Sequence, residues 1–396
     1  MARYKYVIVG GSMAGDAAIS GIRRVDPSAS IGVIRSERHL PYNRPPLSKA
    51  LWKGDSVDTI WRRTKHDGVD FHLGRTVTVL SPKENVVTDD QGVTHAYDRL
   101  LLATGGTPRR LPSGSDRSDG IIYYRTLDDY NRLRELAERG RRFAVIGSGF
   151  IGSEVAAALA MNHKDVVMLY RGEGIGGRVF PTDLSRFLAE FYREKGVELR
   201  PGEGVAAVEV RGTQIAVKTQ SGGEVLVDGV VAGLGIQPNT ELAKAAGLAV
   251  ENGIVVDEWL RTSHPDIYAA GDVASFYNPV LGNRMRVEHE DNANVMGRAA
   301  GEAMAGQGEP YHHLPSFYSD LFELGYEAVG DLDARLETVV DWKVPYKEGV
   351  VYYLRNGRVR GVLLWNTWDQ VDHARKLIAE PGPFRAEDLK GRLPAP

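Results

Sequence analysis

Phe143-Ala144-Val145-Ile146-Gly147-Ser148-Gly149-Phe150-Ile151-Gly152-Ser153-Glu154 sets four apolar residues ahead of three glycines spaced G-x-G-x-x-G. Phe143 to Ile146 suit a buried parallel strand, and Val155 to Met161 is an alanine-rich helical run, so the glycines fall on a strand-to-helix turn. Gly147 permits the tight turn, Gly149 lets a pyrophosphate approach the backbone, and Gly152 lets helix and strand pack closely. The unpaired N–H groups of the helix start would face the diphosphate. A glycine-rich turn that binds nothing is the alternative, and the strand and helix on either side speak against it.

Near the start of the chain the arrangement recurs. Tyr4 to Val9 reads as a strand, Gly10-Gly11-Ser12-Met13-Ala14-Gly15 as the turn, and Asp16 to Arg24 as the helix. Ser12 stands where the middle glycine would be, small enough to keep the backbone near a phosphate. After the next strand, Ser30 to Ile34, Glu37 lies about where an acid accepts from an adenosine ribose; a plain surface carboxylate is its other reading. Two dinucleotide turns imply two dinucleotides, and the economical pair is a flavin and a nicotinamide, one donating a hydride and the other receiving it. The expected class is therefore α/β with two Rossmann-like domains.

The chain has 396 residues and a formal net charge of -3, so two or three domains are expected and no global basic field points to nucleic acid or an anionic membrane. The arginine pairs Arg23-Arg24, Arg62-Arg63 and Arg109-Arg110 read as solvated faces. No apolar run approaches a bilayer span and no signal-peptide pattern precedes the first strand, which makes a cytoplasmic protein the expectation. There is no cysteine. Disulfides, thiolate-ligated iron–sulfur clusters and redox-active dithiols on this chain are thereby excluded, and electrons must travel on a bound cofactor.

Five motifs, taken in order, carry a resemblance: Pro41-Tyr42-Asn43-Arg44-Pro45-Pro46-Leu47-Ser48-Lys49, Ala103-Thr104-Gly105-Gly106, the central fingerprint, Ala270-Gly271-Asp272-Val273 and Val287-Glu288-His289. Over nearly its whole length the chain resembles the FAD-dependent ferredoxin reductases of the glutathione-reductase-like superfamily. Its tail, from Phe317-Tyr318-Ser319-Asp320 to Leu364-Trp365-Asn366, is most similar to the bacterial relatives of apoptosis-inducing factor. The long insertion and the targeting segment of the animal protein have no counterpart, which puts an animal cell-death role outside the reading.

The resemblance implies an FAD domain of about 1–114 and 238–307, an inserted NAD(P)H domain of about 115–237, and a C-terminal α+β interface domain of 308–396. Crossing points are expected at Pro112-Ser113-Gly114-Ser115 and Gly235-Ile236-Gln237-Pro238, both rich in turn residues. In the tail, runs at Leu336 to Val340, Val350 to Leu354 and Val359 to Leu364 look like strands, with a helix at Trp368 to Ile378.

Roles follow from the same resemblance. Asp272, ahead of an expected helix, would accept from a ribityl hydroxyl, a helix N-cap being the alternative. Arg44 and Lys49, in a proline-stiffened loop, would border the flavin, with Lys49 near N5. A cation there favours hydride acceptance but needs a partner when buried. Glu154 would be that partner, linking the two domains; solvent-facing charges are the other reading. Phe150 would cover the ring where nicotinamide stacks, or else be a core aromatic. Glu288 and His289 precede a helix start at Asp291-Asn292 that would aim at the flavin pyrimidine, with His289 a nicotinamide contact. Tyr318 replaces a tryptophan of the relatives. His163, His312 and His313 lack partners at ligand spacing, so no metal is assigned.

Coenzyme choice should lie after the strand Asp165 to Tyr170, where NAD sites present a carboxylate and NADP sites an arginine. Here Tyr170-Arg171-Gly172-Glu173 follows, and Gly172 takes the place of the family acid. Arg171 and Arg178 favour NADPH; Glu173 keeps NADH open. The resemblance names a ferredoxin- or rubredoxin-type acceptor, with quinones, metal complexes and oxygen as alternatives and a homodimer as a possible assembly. A competing class is a redox sensor that reduces FAD slowly and responds by dimerising.

Overall fold

A computed structural model describes residues 2–64, 67–112 and 120–394. Of the first expected crossing point, Ser113, Gly114 and Ser115 lie outside the described residues. The chain divides into one unit of residues 1–43, 57–107 and 237–316 and a second of residues 44–56, 108–236 and 317–396.

In the first unit, Ile8 and Val33 have no solvent exposure, as strands covered on both faces require. Ala2–Val9 runs parallel to Ile31–Arg35 on one side and to Thr94–Leu102 on the other. Val69–Leu73 extends one edge, and Ile267–Ala269 pairs parallel with the far half of Thr94–Leu102. Val86–Asp89 and Val77–Ser81 add an antiparallel flap. Gly10 has φ +105 and a Cβ there would fall 2.1 Å from the Ala103 carbonyl oxygen, so only glycine makes this turn. The helix Met13–Val25 starts earlier than Asp16, because Met13-Ala14-Gly15 continue its first turn. It crosses the helix Glu290–Met304 so closely that Cβ atoms on Gly297 and Gly301 would meet the Ala14 and Ala18 oxygens at 2.2 Å.

One expectation fails here. Asp272 does not precede a helix: it lies in the 3-10 turn Gly271–Val273, and Ala274–Asn278 continues as a strand. Ala274, Ser275 and Phe276 are buried there, a sheet environment that outweighs the helix-start signal of an aspartate.

The same sheet carries a titratable cluster. His95 and Asp89 are buried and 3.3 Å apart, Arg75 also reaches Asp89 at 3.3 Å, and the Tyr4 hydroxyl lies 3.0 Å from His72 Nε2. Burial, then the neighbouring His95, holds the His72 imidazole below its ordinary value. Burial works against the Asp89 carboxylate, but the Val93 amide, His95, the Gln91 amide and Arg75 together hold its pKa down. Both folded-state values lie below the unfolded ones. Their contribution to stability is therefore full above about pH 6.5 for His72 and above about pH 4 for Asp89, and is lost as pH falls. Thermal melts should show the wild type losing stability from pH 7 to about 5. His72→Gln should flatten that slope, and an unchanged slope would assign it elsewhere.

The second unit holds an all-parallel sheet in the order Glu198–Pro201, Asp165–Tyr170, Arg142–Ile146, Gly229–Ala232, Ile121–Tyr123. Gly147 has φ +106 and its Cβ would meet the Gly233 oxygen at 2.4 Å, the same device as at Gly10. Strands Val205–Arg211, Gln214–Thr219 and Glu224–Val227 form a separate antiparallel sheet. The tail builds a five-stranded sheet, ordered Ser316–Leu321, Leu324–Gly330, Arg358–Trp365, Glu348–Arg355, Glu337–Val344, with the helix Val371–Ala379 after it. Two of these strands, Ser316–Leu321 and Leu324–Gly330, go beyond the three expected from the pattern.

Residues 44–56 join this unit through Trp52. Its indole Nε1 donates to the Leu47 oxygen at 2.9 Å, its ring meets Tyr130 edge-on at 5.7 Å, and Asn162 donates to its carbonyl at 3.0 Å. The Tyr124 hydroxyl donates to Leu47 as well. The proline-stiffened loop is thus two 3-10 helices, Pro45–Ser48 and Ala50–Lys53, on either side of Lys49. Among the described residues no helix is long and apolar enough to cross a membrane.

Candidate active site

In the second unit the anchored 3-10 pair brings Lys49 to Glu154 on the helix Phe150–Met161, with Nζ 2.8 Å from Oε2. Both are inside, Lys49 at 8 % exposure and Glu154 at 3 %, which rules out the reading as solvent-facing charges. The pair is internal to this unit, whereas the sequence reading had it joining two domains; Trp52 is the reason. Lys49 Nζ also lies 5.2 Å from the centroid of the exposed Tyr318 ring. Ser48 Oγ donates to Glu154 Oε2 and Ser319 Oγ to Oε1, both at 2.6 Å. Burial and then the Glu154 charge push the hydroxyls of Tyr192 and Tyr326 upward, so both stay neutral. A buried carboxylate with three donors and a buried ammonium form one fixed dipole.

Phe150, first residue of that helix, is half-buried and meets Phe317 edge-on at 5.3 Å. It is not a core aromatic between helix and sheet, and Ile151 beside it is 38 % exposed. Gly149 is the helix N-cap, where no side chain caps the first turn, and a Cβ built on it finds nothing within 4 Å. Gly152, by contrast, would clash with the Gly147 oxygen at 2.2 Å. The middle glycine faces open space and the outer two face backbone, which is the fit a pyrophosphate needs. Arg171, Gly172, Glu173 and Arg178 are exposed in the irregular stretch after Asp165–Tyr170. Among the described residues neither arginine has a carboxylate partner. Gly235, with φ +77, accepts from the Arg109 amide at 2.9 Å, and Arg44 Nη1 donates to the Arg125 oxygen at 2.8 Å.

In the first unit, Ser12 caps the helix Met13–Val25 by backbone alone, again with no side-chain cap bond. A Cβ on Gly15 would lie 2.0 Å from the Gly10 oxygen, and one on Gly271 2.8 Å from the Ala14 Cβ, so Met13-Ala14-Gly15 and Gly271-Asp272 come together at the helix start. Two N-terminal turns of this build suit the diphosphates of two dinucleotides. Glu37 is not a free surface carboxylate: it takes the Tyr42 hydroxyl, and Arg35 Nη2 is 3.2 Å away. Thr104 Oγ1 donates to the Asn239 oxygen and Asn239 Nδ2 returns to Thr104, both at 2.8 Å, next to Gly105 at φ +63. Arg286 donates to the Asp272 carbonyl at 3.0 Å and pairs with Glu288 at 2.7 Å. His289 is the N-cap of Glu290–Met304 but its side chain does not cap it.

Four side chains at these sites were missed from the sequence: Arg35, Arg286, Ser48 and Ser319. Ser319 sits inside a quoted motif, and Ser48 adjoins Lys49, yet neither spacing announces Glu154. Arg62 was misread as solvated; it is ion-paired with the fully buried Asp16, to which Thr64 also donates. His313 pairs with Asp291 at 2.6 Å, a carboxylate far from it in sequence.

Residues 4–297 match the family described as pyridine nucleotide-disulphide oxidoreductase. Residues 300–345 and 341–380 match the mitochondrion-associated C-terminal domain of apoptosis-inducing factor. The chain is 34% identical to the mitochondrial apoptosis-inducing factor 1 of Dictyostelium discoideum, over 95% of this chain and 78% of that protein. It is 33% identical to the ferredoxin--NAD(+) reductase component of an anthranilate 1,2-dioxygenase system from Burkholderia cepacia, over 97% of each. Among solved structures, a covalent putidaredoxin reductase–putidaredoxin complex superposes with a TM-score of 0.90 at 32% identity, covering 98% of this chain and 95% of that one.

Proposed function

The chain belongs to the pyridine nucleotide-disulphide oxidoreductase family, and on that premise we propose that it moves reducing equivalents from NAD(P)H through FAD to a ferredoxin-type iron–sulfur protein. The observation that carries the proposal is the buried Lys49–Glu154 pair in a chain with two dinucleotide turns and no cysteine. The family's disulphide chemistry has no thiol here to work on. When bound, FAD supplies a two-electron acceptor that releases electrons singly.

In this reading the segments 1–114 and 238–307 hold FAD. Gly10, Ser12, Met13, Ala14 and Gly15 take its diphosphate, Glu37 with Arg35 the adenosine end, and Asp272 the ribityl chain. Ala103, Thr104, Gly105, Glu288 and His289 complete the lining. Residues 115–237 hold the coenzyme on Gly147, Gly149 and Gly152, with Gly235 closing the turn opposite, and 308–396 supplies the interface strand bearing Tyr318. Lys49 provides fixed positive charge where negative charge develops, Glu154 keeps it in place, and Phe150 excludes water from the transfer.

Arg171 and Arg178, exposed and without carboxylate partners among the described residues, support NADPH as the coenzyme. Glu173, one residue from the family acid position, and the NAD(+) in the name of the Burkholderia relative support NADH. Arg171→Ala should lower kcat/KM for NADPH about tenfold, the worth of one exposed phosphate contact, and change it little for NADH. Equal losses with both coenzymes would remove the phosphate role.

The acceptor is tested by anaerobic turnover with NAD(P)H and cytochrome c, with and without a [2Fe–2S] ferredoxin. Reduction that depends on the ferredoxin supports the reading, and equal rates in its absence contradict it. The match of the tail to apoptosis-inducing factor favours a second reading, a sensor whose output is assembly. Slow reduction with a change in sedimentation on adding NADH would support the sensor over the reductase.

A further inference from the structure

Glu154 receives more than its lysine. Its Oε2 takes Lys49 at 2.8 Å and Ser48 Oγ at 2.6 Å, while Oε1 takes Ser319 Oγ at 2.6 Å. The three donors come from two distant places in the chain, the Pro45–Ser48 turn with its neighbour Lys49 and the strand Ser316–Leu321. Ser48 and Ser319 are themselves buried, so water does not compete for either bond.

We propose that Ser48 and Ser319 are positioning residues for hydride transfer, which share the negative charge of Glu154 so that the field of Lys49 is not spent on its own counterion. The inference rests on the reading of Lys49 as the cation that favours reduction of the flavin. A carboxylate 2.8 Å from an ammonium, as Glu154 is from Lys49, cancels most of the cation's charge at a distance unless other groups take up part of its own. Two hydroxyl dipoles, each with its hydrogen toward the carboxylate, take up part of that charge. Lys49 then needs to spend only one of its three donors on Glu154. Ser319 adds a structural consequence: it follows Tyr318, whose ring lies beside the same ammonium, so one strand steers both members of the pair.

The test uses the FAD-loaded full chain and reads the flavin midpoint potential by dye equilibration, together with kcat and KM for the coenzyme. Ser319→Ala should move the potential to more negative values and slow flavin reduction about tenfold with KM within about twofold, because the lost bond is to a charged group. Ser319→Thr, which restores the hydroxyl, should return the potential and the rate. Ser48→Ala, on a different segment and the other donor set, should shift the potential in the same direction, which keeps the test open if one variant folds poorly. Lys49→Met separates the two levels. If it leaves the potential unchanged, the cation reading fails. If it shifts the potential while both serine-to-alanine variants do not, or if threonine does not rescue, the positioning role is overturned and the cation reading stands.

Discussion

Glu154→Gln is expected to slow flavin reduction by NAD(P)H at least about 100-fold, because Lys49 loses the partner that holds its ammonium in place, and with it the preorganised positive charge at the reacting centre. It should also destabilise the fold, because the Lys49 ammonium is left buried without its counterion, at a cost of about 3–5 kcal/mol. Stability and rate can be pulled apart. In the double variant Lys49→Met/Glu154→Gln no buried charge is left unpaired, and neutral replacements of buried ion pairs are often as stable as the originals. The melting temperature should therefore recover in the double variant while the reduction rate stays low. Recovery of both would mean that the pair holds the second unit together and does no chemistry.

Gly149→Asp should raise the KM for the coenzyme at least about 100-fold while leaving the fold intact. Aspartate is a preferred N-cap, Gly149 already has the extended N-cap conformation, and a Cβ there meets nothing within 4 Å. Against a bound pyrophosphate the same carboxylate is repelled by about 4 kcal/mol at about 4 Å and an effective dielectric near 20. Gly152→Ala makes the contrast. Its methyl would fall 2.2 Å from the Gly147 oxygen, so the strand-to-helix turn must open, and stability should drop by about 1–3 kcal/mol. Binding measured by fluorescence quenching and melting by circular dichroism distinguish the two. Equal thermal losses in both variants would mean that Gly149 is a packing residue, not the one that faces the diphosphate.

The parts legible in the sequence are those with a local physical signature. The strand Asp165–Tyr170 begins one residue before its apolar run and ends with it, and both glycine turns stand where the strand-to-helix switch in periodicity places them. The sheet of Val205–Arg211, Gln214–Thr219 and Glu224–Val227 went unread, because strands covered on one face alternate and give short, weak apolar runs. Ser316–Leu321 was hidden in the same way by its serine and aspartate. At the site, the meeting of Lys49 with Glu154 came from resemblance, since no spacing rule links residues so far apart. What brings them together is Trp52, tied to Leu47, Tyr130 and Asn162, and such long-range packing has no periodic trace. Arg35 and Arg286 were missed for a related reason: an arginine's expected place is the surface, and only the fold shows one buried against Gly11 and the other between Asp272 and Glu288.

The decisive measurement is an anaerobic stopped-flow record of the flavin absorption of the purified, FAD-supplied protein on mixing with NADPH or NADH. The expected trace is a rapid bleaching of the yellow chromophore, reversed when an oxidised ferredoxin is added and slowed in Glu154→Gln. A protein that stays colourless after incubation with excess FAD, or a bound flavin that neither coenzyme bleaches, would contradict the assignment of two dinucleotides exchanging a hydride beside Lys49.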